Sequence, residues 1–330
     1  MCLLEKLPTE LLERVFLYCM NLELPRASPV ISGKLSSEVV YLHTIITAFG
    51  PTWERWHGQP EQFRNFKEKG PTINLNGDFD GDPKLQSAIL RCRWTTSSRL
   101  LGAKDTWIRR KGLGKAFKPR YFLTSINTSS GEDEGENDSP PELTAIEHFN
   151  NDFASFSEFV QQRDGGCIWG NCNWNTDKDV ANGVEIPTGL LLGPWDEAKI
   201  KDLFWIVKSG GAVIDWLNST SGEAALEGLK TAITTGDTRA IHLLEWYGLI
   251  EKLDIETLLW TFRNAGGEKI ATANQILRLG FSNISSNLKN ARKVQRLLSD
   301  MEDEAEQEGD QGKLDFVNQL KRSQTLSELY

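Results

Sequence analysis

Asn76-Gly77-Asp78-Phe79-Asp80-Gly81-Asp82 is the stretch whose side chains come nearest to a recognisable chemistry, the oxygen cage of a calcium ion. Oxygen ligands at the first, third and fifth positions and a glycine at the sixth fit such a loop. Its twelfth position, however, falls on Ser87 where a bidentate Glu is needed, and its ninth on Lys84, which would turn an ammonium toward the cation. The stretch reads as a polar turn. Cys167 and Cys172 have no second Cys or His pair nearby to complete the four ligands of a closed zinc site, so they read as free thiols. His43, His57, His148 and His242 are far apart, and His43 and His242 fall within predicted helices as packing residues. Lys111-Gly112-Leu113-Gly114-Lys115 has glycines and cations but not the spacing that lets successive N–H groups cradle phosphates. No nucleophile elbow, dinucleotide fingerprint or Walker loop occurs. These residues predict no catalytic group, no metal and no cofactor, and so a non-enzyme. An enzyme with no recognisable motif is the remaining alternative in that class.

The composition narrows the partners. A net charge of −9 argues against general nucleic-acid binding. Arg91 to Arg120 holds ten Lys/Arg and one Asp, whereas Glu132 to Glu147 holds seven acids and no Lys or Arg. The pair reads as a basic surface partly neutralised by a flexible acidic loop. Five scattered cysteines argue against a disulfide framework. No apolar run approaches the roughly 18 residues of a membrane span. Glu5, Lys6 and Glu10 interrupt the N-terminal apolar stretch, which excludes a secretory signal. The expected compartment is the cytosol or the nucleus, with no membrane partner.

With catalysis unsupported, the elements themselves carry the information. Leu7-Pro8-Thr9-Glu10-Leu11-Leu12-Glu13-Arg14-Val15-Phe16 predicts a short amphipathic helix. Pro8 suits the first helical position, and Glu10 and Glu13 suit the positive end of the helix dipole. A helix this short must dock on something.

The motif Leu-Pro-x-Glu-Leu-Leu-x-x-Val-Phe resembles the opening of an F-box. The likeness runs on through Leu24-Pro25-Arg26-Ala27-Ser28-Pro29-Val30-Ile31-Ser32-Gly33-Lys34-Leu35, which is similar to the second helix in a group of fungal F-box proteins. Residues 36–49 would be the third helix. The resemblance implies a three-helix unit over 1–50 that binds the Skp-type adaptor of a cullin-based ubiquitin ligase. Leu7, Pro8, Leu11, Leu12, Val15 and Phe16 would be divided between adaptor contact and internal packing. Unlike many F-boxes, the chain has no tryptophan before Trp53.

Beyond residue 50 a basic region rich in tryptophan is expected over 51–128, with Trp53, Trp56, Trp94 and Trp107 as core residues and a helix from Lys84 to Leu101. Residues 129–141 read as a disordered acidic linker. A mixed helical and irregular region follows over 142–198, opening with a helix from about Leu143 to Gln162. Helix–Gly–helix–Gly patterns then recur. Residues 225–248 and 258–280 align with Leu244 to Leu277 separated by 33 residues, near the ankyrin period. A poorer copy precedes them, from Leu203 through Gly210-Gly211 to Leu217. Stacked ankyrin-like hairpins are therefore expected over 199–282, before a helical tail over 283–330. The expected fold class is mainly α. The functional expectation is an F-box-type receptor that brings an unknown protein substrate to a ubiquitin ligase. The alternative is an ankyrin-like interaction scaffold without ligase association.

Overall fold

A computed structural model describes residues 3–57, 80–111, 144–162, 177–215, 220–249, 255–266, 269–276 and 288–322. Among them the chain is mainly α, and its only sheet is a pair of two-residue parallel strands. It divides into two compact units. The first comprises Met1–Phe153, Trp174–Pro187 and Trp205–Val213; the second comprises Ala154–Asn173, Thr188–Phe204 and Ile214–Tyr330.

The first unit starts with a 3-10 turn, Leu3–Lys6, and helices α1 (Thr9–Cys19), α2 (Pro29–Lys34) and α3 (Glu38–His57). Leu12, Phe16, Ile31, Leu35 and Val40 form one buried cluster, with Leu4, Leu7, Leu17, Leu22 and Leu24 packed against it. Removing a side chain such as Leu12 or Phe16 from water contributes roughly 1.5–3 kcal/mol. The ends of these elements are tied by polar groups. Ser28 caps α2 by accepting the Val30 N–H at 3.1 Å. The Lys34 ammonium donates to the Glu5 and Leu7 carbonyls at 2.8 and 2.7 Å, which fixes the chain just before α1.

Helix α3 does not stop near Phe49 as the sequence pattern predicts. It continues across Pro51 to His57 and buries Phe49, Gly50, Thr52 and Trp53. Gly50 has no Cβ to clash with the following proline ring, so it can stay helical there. The single helix predicted from Lys84 to Leu101 is instead two, α4 (Pro83–Leu90) and α5 (Ser97–Lys111). Thr95 Oγ1 donates to the Ile89 carbonyl at 2.6 Å, and Thr96 Oγ1 accepts from Arg99 N–H at 3.3 Å. These local bonds offer the backbone an alternative to continuing the helix. Asp82 caps α4 by accepting the Lys84 and Leu85 N–H groups; Asn76 to Phe79 of the run read as a polar turn lie outside the described residues.

Helix α6 (Ala145–Gln162) is unbroken at Asn150 and Asn151. Strand β1 (Val184–Glu185) follows, then helices α7 (Thr188–Leu191) and α8 (Glu197–Ser209) and strand β2 (Ala212–Val213). The strands pair in parallel, Val184 with Ala212 and Glu185 with Val213. The poorer repeat predicted around Gly210-Gly211 is therefore a helix followed by a strand, not a helical hairpin. Gly211 lies so close to the Val180 and Ala181 carbonyls that a Cβ would strike both. That approach lets the segment join β1.

The second unit contains helices α9 (Thr220–Thr235), α10 (Thr238–Leu244) and α11 (Ile255–Asn264), and a helical stretch α12 over 269–276. A π-helical turn, Glu245–Leu249, extends α10. Asp237 caps α10 through the Ala240 N–H. The Gly266 N–H, at the end of α11, donates to the Ile233 carbonyl of α9 at 2.9 Å. The unit ends in a helical hairpin, α13 (Leu288–Glu308) and α14 (Gln311–Lys321), where the Lys313 ammonium reaches Glu304 at 3.0 Å and Glu308 at 3.3 Å.

Candidate functional site

Helix α1 is apolar on two faces. Leu12 and Phe16 point into the N-terminal core and are buried. Pro8, Leu11, Val15 and Tyr18 recur at helical spacing on another face, and that face is open to solvent: Leu11 is 47% exposed, Val15 42% and Tyr18 91%. Leu7 is half-buried against the core. The six residues singled out from sequence thus fall into two groups. Leu12, Phe16 and Leu7 hold the helix down, while Pro8, Leu11 and Val15 are displayed. Tyr18 belongs with the displayed group, and its spacing from Leu11 and Val15 could have found it. Large apolar side chains displayed together along one helix are a helix-in-groove signature for a protein partner. Leu3, Val30 and Val39 are further exposed apolar residues of this unit.

A second constellation in the first unit is buried and charged. Asp179 accepts from the Lys104 ammonium at 2.6 Å and from His57 Nε2 at 3.1 Å, and its backbone carbonyl accepts the Trp53 indole N–H at 3.1 Å. Burial alone would raise Asp179, but Lys104 and His57 outweigh it and hold the carboxyl below its ordinary range. In the same unit, the Lys208 ammonium is in contact with Asp152 and lies 3.5 Å from Asp177. Burial pulls Lys208 down to about 7, and Lys104 adds to the pull. Burial pushes Asp177 up to about 7, with Lys104 opposing and Asp179 adding.

Gln86 knits the neighbouring backbone together. Its amide donates to the Ala48 carbonyl at 3.0 Å and to Thr52 at 2.8 Å, and accepts the Ala181 N–H at 2.8 Å. Lys178, between the two aspartates, has φ +55°, a left-handed conformation uncommon for a residue with a side chain. It turns Asp177 and Asp179 so that their N–H groups donate to the Lys208 and Ser209 carbonyls.

Among the described residues no group of His, Cys, Asp or Glu is arranged to hold a metal ion. His43 lies 3.4 Å from Arg110, and the His242 ring packs beside Phe156 and Phe159. Cys167, Cys172 and the linker over 129–141 lie outside the described residues, as does the glycine-rich run after Lys111. No described helix is long and apolar enough to cross a membrane. The fold thus defines a mainly helical protein with a displayed apolar helix face. Comparison with family models, with curated proteins and with solved structures gives no match.

Proposed function

We propose that the chain is an F-box-type substrate receptor acting in the cytosol or nucleus. Its first helix would dock on a Skp-type adaptor, and the remaining body would present a target protein to a cullin-based ubiquitin ligase. The observation that carries this reading is the division of labour within α1. Leu12 and Phe16 anchor the helix, and Leu11, Val15 and Tyr18 stand free of the fold. An apolar stripe left exposed on an already packed helix is accounted for by a partner rather than by folding. The F-box likeness of Leu7 to Phe16 names the class of that partner. Ubiquitin transfer belongs to other subunits in this reading, so no catalytic residue is assigned.

The test is co-purification of the full chain with a Skp-type adaptor. Leu11→Asp with Val15→Asp should abolish capture while leaving the melting temperature within a few degrees of the parent. Failure of the parent chain to capture the adaptor, or capture unaffected by the double substitution, would overturn the reading. The scaffold alternative rests on the helical pairs of the second unit, joined by the Gly266–Ile233 bond. It gains if a protein partner is retained after the double substitution and no adaptor is ever found.

A further inference from the structure

Helix α13 carries its charges in two blocks. Lys289, Arg292, Lys293 and Arg296 lie in its first half, and Asp300, Glu302, Asp303, Glu304, Glu306 and Glu308 in its second. The order runs against the helix dipole. The first turn holds no acid and the last no base, so each end carries the sign of charge that the dipole disfavours. Helix formation therefore does not account for the arrangement. Part of the charge is met inside the second unit. Lys293 pairs with Glu256 of α11 at 2.8 Å, Lys313 of α14 reaches Glu304 and Glu308, and Lys321 of α14 is in contact with Glu302. One stripe is not met. Val294, Leu298, Met301 and Ala305 are buried. On the side away from them Arg292, Arg296, Ser299, Asp303 and Glu306 follow at intervals of four, three, four and three residues, all exposed. Among the described residues, Arg292, Arg296, Asp303 and Glu306 have no ion pair.

This stripe is its own complement when reversed. Ser299 is its centre: Arg292 stands seven residues before it and Glu306 seven after, Arg296 three before and Asp303 four after. At 1.5 Å per residue, Arg292 and Glu306 lie about 10 Å to either side of that centre. We propose that the stripe is a self-association surface, on which a second copy of the chain lays its own α13 antiparallel about a two-fold axis at Ser299. Arg292 of each copy then faces Glu306 of the other, and Arg296 faces Asp303, with no like charges opposed. The small hydroxyl of Ser299 lets the helices approach at the axis. A contact of this kind, the same patch on both copies, closes on itself and gives a dimer. A parallel second copy, or a partner of one sign of charge, would oppose like charges over half the stripe. Each pair is exposed to solvent and individually weak, so the dimer is a weak one that salt loosens.

Sedimentation velocity of the full chain tests this at about 0.1 M salt, where the net charge of −9 is screened beyond about 10 Å. The parent should pass from 37.1 kDa toward twice that mass as its concentration rises to the order of 100 μM. Arg292→Glu with Arg296→Glu makes the stripe wholly acidic, and Asp303→Lys with Glu306→Lys makes it wholly basic. Each variant alone should self-associate about tenfold more weakly than the parent. Both pairs of changes suit the helix dipole, so neither should lower the melting temperature. Mixed one to one, the two variants should regain the dimer, and the mixed pair carries the same total charge as two parent chains. Ser299→Cys should give a disulfide-linked dimer under mild oxidation that the parent does not give, because the axis sets residue 299 of one copy against residue 299 of the other. A parent that stays at 37.1 kDa, a mixture that stays monomeric, or a Ser299→Cys chain that does not cross-link would overturn the proposal.

Discussion

Leu11 and Leu12 are neighbours in the chain on different faces of the same helix: Leu11 is 47% exposed and Leu12 is wholly buried among Phe16, Ile31, Leu35 and Val40. One hundred degrees of helical rotation separates a residue that folds the unit from one that remains for a partner. Their truncations should therefore separate cleanly. Leu12→Ala should lower stability by about 2–5 kcal/mol, and Leu11→Ala by no more than about 0.5 kcal/mol. Urea unfolding followed by circular dichroism measures both, and equal losses would mean that the two faces are assigned wrongly.

The Lys104–Asp179 pair gives a second prediction. Both side chains are nearly fully covered, at 5% and 4% exposure. Lys104→Met leaves Asp179 with His57 as its remaining cationic partner, and breaking a buried pair from one side costs about 3–5 kcal/mol. Restoring neutrality with Asp179→Asn in the same chain should recover part of that loss. A double-mutant cycle by chemical denaturation would show it as strong coupling, and additive losses would contradict the contact.

Glycines separate by the space around them. A Cβ on Gly228 would strike the Leu191 carbonyl, and one on Gly266 the Thr234 carbonyl. Gly228→Ala and Gly266→Ala should each destabilise by about 1–3 kcal/mol. Gly102 lies inside α5 with nothing within 4 Å of such a Cβ. Gly102→Ala should instead stabilise by about 0.5–1 kcal/mol, because alanine is the better helix former. Melting temperatures of the three variants provide the check.

Glu245 opens the π-helical turn, and its Oε2 is buried without a hydrogen bond. Burial pushes its carboxyl up to about 8. A raised folded pKa makes this site's contribution complete below the ordinary glutamate range and lost as pH climbs toward 8. Glu245→Gln should flatten that part of the stability profile, raising the melting temperature at pH 8 more than at pH 5. An equal change at both values would show that the carboxyl ionises normally.

Much of the helical architecture was legible because its signals are local. The apolar period of α1 and the glycine break before α10 each act within one turn. The extension of α3 was hidden by Pro51, which usually ends a helix. The strand at Ala212–Val213 was hidden because its pairing comes from Val184 and Glu185, far away in the chain. The charged cluster leaves only a local trace in the sequence. Lys104 shares a helical stripe with Leu100, Leu101, Trp107 and Ile108. Lys208 follows Ile200, Leu203 and Phe204 in the same way, and Asp152 lies among Ala145, Phe149 and Phe156. A charge on a core stripe announces a buried partner, but spacing alone cannot say which one.

Helix α3 bears on how this N-terminus could be exchanged between proteins. Val40 belongs to the Leu12–Phe16 core at one end, and Trp53 and His57 reach Asp179 at the other. A graft ending at Gly50 would cut through a continuous helix and leave the indole of Trp53 and the Asp179 carboxylate behind with a severed support. The opening three helices are thus not a detachable cassette, because Trp53 and His57 at the end of the third are bonded to Asp179 far along the chain.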